Sequence, residues 1–336
     1  MKKLLLSSAL AASVLFTGAS FAETKVEGSL ETTINTLSTK TSGTADNSGP
    51  TNIGHEAKIN IATSKELSNG LAMSSGFTID SSTTGSDGGT SHAFQNQFIK
   101  LTAGKTSIAI GHDVTGVEDN VSHEDFTPHV AQDFHSVSTG SSMTGVTQAH
   151  GDNGIYLQHV TDMLSFDAVY TPTMAADNVT AASTNTEVGG SAYGLAVKGN
   201  LGVPGLTIGY GLSETQADLA TGVKNGEGKT YGVKYANAGF TIGYGTNENT
   251  VASTGVKTDT TSYGVSYQVN DQLSVAVNMG EVDVSNIAND EKLRSFEVGY
   301  DFGGMGITAG YYMLENDGGT SGSDNEVFEI RTVTKF

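Results

Sequence analysis

The chain contains no cysteine, so disulfides cannot hold it together, and its order has to come from backbone pairing or from a large core. A large core is poorly supplied, because only 37% of the residues are hydrophobic. Proline is scarce at 4 residues, whereas glycine reaches 43. Past residue 22 no segment approaches the roughly 18 uninterrupted apolar residues that a membrane-spanning helix needs, which excludes helical spanning. Arginine is confined to Arg294 and Arg331, and the formal net charge is −19. Nucleic acid is thereby excluded as a partner, since its phosphates call for a basic face.

What the chain does have is alternation. Between Lys229 and Tyr312 a large apolar side chain stands at every second residue until Gly, Asn or Asp breaks the run. Tyr231, Val233 and Tyr235 form one such set; Phe240, Ile242 and Tyr244 another; then come Tyr263, Val265 and Tyr267, and Leu273, Val275, Val277 and Met279. Successive strand side chains point to opposite faces, so each set makes one apolar face. Gly232, Lys234, Gly243, Gly264, Ser266, Ser274, Ala276 and Thr308 fall on the other, which is small or polar. An inside-out barrel reconciles this pattern with the shortage of apolar residues. Its greasy face meets lipid, its interior is polar, and closure pairs every backbone N–H and C=O.

The N-terminus points the same way. Lys2 and Lys3 precede an apolar stretch from Leu4 to Phe16, and Ser20-Phe21-Ala22 has the small-x-small form of a signal-peptidase site. Residues 1–22 are expected to be a cleaved export signal, which takes the net charge to −21 and leaves 23–336 as one barrel. Sixteen apolar alternations are expected, from Val26–Ile34 to Glu326–Phe336, and an even count suits a single-chain bacterial barrel. Tight connectors such as Ala103–Lys105 and Ala236–Gly239 alternate with long polar ones such as Asp80–Ala93 and His112–Asn153. Short periplasmic turns and long external loops have that parity.

All twelve tyrosines lie at or after Tyr156. Tyrosine favours the membrane interface, where the ring is apolar and the hydroxyl wet. The first five strands lack that girdle, and they are expected to face another copy of the chain.

Four stretches together resemble the general porins of Gram-negative bacteria. Val26-Glu27-Gly28-Ser29-Leu30 resembles the first strand of those proteins, and Lys65-Glu66-Leu67-Ser68-Asn69-Gly70-Leu71 their first periplasmic turn. Phe98 to Gly104 followed by Ile108-Ala109-Ile110-Gly111 is similar to the fourth and fifth strands, and the terminal Phe336 to the residue read by the outer-membrane assembly machinery. The resemblance implies an all-β transmembrane antiparallel β-barrel of 16 strands in the cell outer membrane, assembled as a homotrimer. It implies passive passage of small hydrophilic solutes and ions. It also implies a third external loop folded inward to narrow the pore, a place taken here by residues 112–153. The family sets wall arginines against loop acids, and here the matching positions read Gln95 and His112.

The loop carries Glu118, Asp119, Glu124, Asp125 and Asp133, and carboxylates in a narrow passage concentrate cations. With His112 these are the candidate constriction residues, and Glu124 and Asp125, beside Phe126, are foremost. Alternation puts Lys58, Lys198 and Lys234 on the lumen wall together with Gln95, while Lys100 can be read on either face. A substrate-specific outer-membrane channel is the alternative function, because the missing arginines are also consistent with a pore tuned to particular solutes.

Other chemistry finds no support. His112, His123, His129, His135 and His150 stand among acids, but their spacing matches no ligand motif, so neither metal nor cofactor is expected. The acidic stretch Glu315–Glu326 lacks the spaced ligands of a calcium loop. From Gly222 to Gly228-Lys229-Thr230 the glycines are one residue too far apart for a phosphate-binding loop. No nucleophile and base can be placed together at one rim, and the chain is not expected to be an enzyme.

Overall fold

The structure, a computed structural model, describes residues 23–40, 47–83, 90–112, 121, 126–128, 130, 154–172, 191–215, 226–250 and 255–336. Sixteen strands close into one antiparallel barrel in which each pairs with its neighbours in sequence. They are β1 (Glu23–Lys40), β2 (Asn47–Glu66), β3 (Ala72–Thr83), β4 (Thr90–Ala103), β5 (Thr106–His112), β6 (Gly154–Val160), β7 (Leu164–Thr171) and β8 (Ala192–Gly199). β9 (Leu206–Thr215), β10 (Gly226–Asn237), β11 (Phe240–Thr250), β12 (Lys257–Gln268), β13 (Leu273–Val284), β14 (Glu291–Asp301), β15 (Met305–Glu315) and β16 (Asp324–Lys335) follow. The segment 1–22 lies outside the described residues.

Alternation is realised with the apolar side outward. Val26, Leu30 and Ile34 of β1, Tyr231, Val233 and Tyr235 of β10, and Phe240, Ile242 and Tyr244 of β11 are exposed on the outer surface. The intervening Thr230, Ser262, Asn278 and Ser295 are buried on the inner one. Outward aromatics gather in two belts, a placement that suits rings at membrane interfaces. Toward the long-loop end the register aligns Tyr170 with Tyr193, Tyr210 with Tyr231, Tyr244 with Tyr263, and Tyr311 with Phe328. Toward the other end Phe240 and Tyr267 have centroids 4.3 Å apart, and Tyr300 and Phe302 4.6 Å. Tyrosine hydroxyls reach polar partners: Tyr311 donates to Glu326 Oε2 at 2.7 Å and Tyr300 to Gln272 Oε1 at 2.9 Å.

The short turns share the end at which the chain closes. Asn270 Oδ1 accepts from the N–H groups of both Gln272 and Leu273 at 2.9 Å, fixing the β12–β13 turn. Between β10 and β11 the two central residues, Ala238 (φ 51) and Gly239 (φ 83), both have positive φ, as a type I′ hairpin requires. Glycine takes that conformation freely, but alanine pays about 1–2 kcal/mol for it. Replacing Ala238 by Asn, which tolerates the left-handed region, is therefore expected to stabilise the hairpin by up to about 1 kcal/mol. A higher midpoint for heat-induced loss of the folded gel band checks this, and a lower one argues against it.

Closure is made by β1 and β16, in register from Ser29 with Lys335 to Lys40 with Asp324. Phe336 extends the seam by one step: the Gly28 N–H donates to the Phe336 carbonyl at 2.8 Å, and the Phe336 N–H to the Gly28 carbonyl at 2.9 Å. Its ring covers Gly28 so closely that a Cβ there would lie 2.6 Å from Phe336 Cζ.

A bulge explains the ambiguity at Lys100. Gly76 pairs with Phe98 but Thr78 pairs with Gln95, so β4 gains a residue relative to β3. An extra residue inverts facing. Phe94 is exposed outward before the bulge and Ile99 after it, and Lys100, opposite the buried Ala109, stands on the inner face.

Candidate pore lining

Inward side chains across β16, β1, β2 and β3 form a patch of alternating charge. Arg331 Nη2 donates to Glu31 Oε2 at 2.5 Å. Lys58 Nζ lies 3.0 Å from Glu56 Oε1 and 3.6 Å from Asp80 Oδ2. The register joins these pairs, setting Glu31 opposite Glu56 and Lys58 opposite Asp80. Farther round, Asp167 on β7 accepts from Ser165 Oγ at 3.1 Å, Gln158 Nε2 at 2.9 Å and the Tyr156 hydroxyl. Such partners are what a carboxylate needs when it sits almost wholly out of contact with bulk water.

Lys198 and Lys234 also occupy inner-face positions, since the exposed Leu195 precedes one in alternation and Val233 and Tyr235 flank the other. The backbone of Gln95 pairs with the inward Thr78, and that of His112 with Gln97; their side chains lie outside the described residues. Glu118, Asp119, Glu124, Asp125 and Asp133 lie outside the described residues too. Among the described residues no three His, Cys, Asp or Glu side chains are grouped closely enough to hold a metal ion.

Five residues between β5 and β6 are described: Val121, Phe126, Thr127, Pro128 and Val130. Phe126 and Val121 are fully buried and join the inward Ala109, Tyr156, Val169, Ala192 and Ala196 in one apolar cluster. Thr127 Oγ1 and Ser262 Oγ on β12 are 2.6 Å apart. The Val130 N–H donates to Glu297 Oε2 on β14 at 2.8 Å. Glu297, fully buried, also accepts from Ser295 Oγ at 2.7 Å and Asn278 Nδ2 at 3.1 Å.

The inner face is thus less uniformly polar than the sequence suggests. Besides the cluster at Phe126, a second one joins Val282, Leu293, Tyr312, Leu314 and Val327, all on inward positions of β13 to β16. Near it the β13–β14 and β15–β16 connections clasp each other: Gly318 N–H donates to Glu291 Oε2 at 2.8 Å, and Asn316 Nδ2 to the Asp290 carbonyl at 3.1 Å. Sequence reasoning followed the lysines and passed over Glu31, Glu56, Asp80, Asp167, Glu297, Glu329 and Arg331. The signal was available for several of them, because Glu56 shares parity with Lys58 within β2 and Arg331 shares parity with Glu329 within β16.

A family model described as Gram-negative porin matches residues 9–325. No curated protein matches the sequence. Among solved structures the chain is similar to an anion-selective porin from Comamonas acidovorans, at 14% identity and a TM-score of 0.70 over 94% of this chain and 100% of that one. It is similar to a mutant of the Rh. blastica porin, at 12% identity and a TM-score of 0.65 over 94% and 100%. A loop-deletion mutant of OmpT, an outer membrane protein of Vibrio cholerae, aligns at 15% identity and a TM-score of 0.67 over 94% and 99%. At such identities the likeness is one of fold.

Proposed function

Because the chain belongs to the family of Gram-negative porins, which are outer-membrane channels rather than enzymes, we propose that it passes small hydrophilic solutes and ions by diffusion and prefers cations. The observation that carries this reading is the closed barrel whose outer face is apolar and whose inner face bears charge. On the described inner wall Glu23, Glu27, Glu31, Glu56, Glu66, Asp80, Asp167, Glu291, Glu297, Asp301 and Glu329 outnumber Lys25, Lys58, Lys100, Lys198, Lys234, Arg331 and Lys335. The connection 112–153 adds Glu118, Asp119, Glu124, Asp125 and Asp133, which we assign to the constriction. His112 is left out of it, because its backbone pairs with the outward Gln97 and shares the parity of the outward Ile108 and Ile110. Fixed negative charge in a confined aqueous passage raises the local cation concentration. The anion selectivity of the Comamonas protein belongs to a chain only 14% identical, so it does not decide the sign here. Reversal potential across a planar bilayer with a salt gradient tests it. The expected sign is that of a cation-preferring pore; an anion-preferring reversal contradicts the proposal.

The outer face of β1 to β5 supports a homotrimer. There Thr63 Oγ1 and Ser75 Oγ, 2.9 Å apart, join Gln97, Ile61, Phe77, Ile99 and Ile110 around a groove of about 580 Å³. The groove of β10 to β13, of about 620 Å³, has Val233, Tyr235, Ile242, Tyr244, Val265 and Val277 instead. Hydroxyls and an amide on an outward surface suit contact with protein better than with lipid, where unpaired polar groups are costly. We further assign residues 1–22 to an export signal, and Phe336 to recognition by the assembly machinery.

A further inference from the structure

Inward glycines on β9, β10, β11 and β14 mark where Phe126, Pro128 and Val130 lie against the wall. A Cβ on Gly209 of β9 would lie 2.5 Å from Phe126 Cζ and 3.1 Å from Val121 Cγ1. One on Gly232 of β10 would lie 2.9 Å from Phe126 Cβ. On Gly243 of β11 it would meet the Phe126 carbonyl carbon at 2.9 Å and Pro128 Cδ at 3.3 Å, and on Gly299 of β14 the Val130 carbonyl oxygen at 3.3 Å. Gly209 and Gly232 are paired directly across β9 and β10, so the ring of Phe126 rests on two strands at once. Between these glycines, Thr127 meets Ser262 on β12, and Val130 meets Glu297 on β14.

Glycine inside a strand weakens it and commonly marks a close approach by another backbone. None of these four has the positive φ that would require glycine for its own conformation. Space is the remaining reason: Phe126 fills it at Gly209, Gly232 and Gly243, and at Gly299 Val130 shares it with Ser274 Oγ, 3.0 Å away. We propose that Gly209, Gly232, Gly243 and Gly299 form a seat that positions the segment Phe126–Val130 and, through it, sets the width of the pore. The inference rests on the channel reading above and adds the wall residues that determine its size limit. Placement is then specified by the wall as well as by the loop.

The sign of the effect separates this role from a merely steric one. Extra bulk that stays on the wall narrows a pore, whereas bulk that unseats the segment widens it. Gly243→Val is expected to raise single-channel conductance on the order of twofold and to admit larger neutral sugars in liposome swelling. Phe126→Ala, which empties the seat instead of filling it, is expected to move both readouts in the same direction. Gly306→Val is the control, because a Cβ at Gly306 meets nothing within 4 Å. Unchanged or reduced conductance in both folded variants overturns the proposal, as does an equal rise in the control. Should Gly243→Val fail to fold, Phe126→Ala decides alone. A wild-type protein without conductance would instead count against the channel reading itself.

Discussion

Val265→Arg is expected to abolish most folding into liposomes, while Ser266→Arg, one residue along the same strand, leaves it nearly intact. Val265 is exposed on the outer face of β12 and borders the apolar groove of β10 to β13. An arginine on the lipid face of a barrel costs about 2–4 kcal/mol near the bilayer midplane. That is a large share of the stability of an ordinary domain. Ser266 stands on the inner face beside Ala236, Thr241, Gln268 and Ser274, around a cavity of about 390 Å³. A long cationic side chain there has space and water. The folded fraction, read from the heat-modifiable gel band after refolding into liposomes, measures both. Equal tolerance, or greater damage from the inner substitution, contradicts the assignment of faces.

Removing Phe336 is expected to weaken the barrel in purified form, in the absence of any cellular factor. Its two backbone hydrogen bonds to Gly28 close the last step of the β1–β16 seam, and its ring covers the backbone of Gly28. Losing both bonds costs on the order of 2 kcal/mol, because each net bond contributes about 1 kcal/mol. Gly28→Val attacks the same contact from the other strand, since its side chain would occupy the place of the ring. Refolding into detergent micelles, followed by thermal unfolding, should show a lower midpoint for both variants. If only assembly in cells suffers and the purified barrel is unaffected, Phe336 acts as a recognition signal and not as a closing contact.

The strands were legible because a barrel wall is a local code. Each residue's face follows from its parity within one strand, and hydrocarbon tolerates few exceptions on the outer side. Parity failed at Lys100 because the bulge between Gln95 and Phe98 inverts it, and nothing in the local residue types announces that extra residue. The acids of the wall, Glu31 and Asp80 among them, are legible in the same code, since each stands at an inward position of its strand. The apolar inner cluster around Tyr312 and Leu314 follows from the same code, because placing Tyr311 outward obliges Tyr312 to point in. What no local pattern carries is the seat of Phe126. Its pieces lie on β9, β10, β11 and β14, and only the registers between strands bring Gly209, Gly232, Gly243 and Gly299 under one segment.

A water-filled passage through the centre of this barrel is tested most directly by planar-bilayer recording of the purified protein. The account predicts ohmic openings whose size grows in proportion to salt conductivity, lost in three equal steps when a single assembly closes. A barrel that inserts fully folded and stays silent, or that conducts only after its loops are removed, would contradict it.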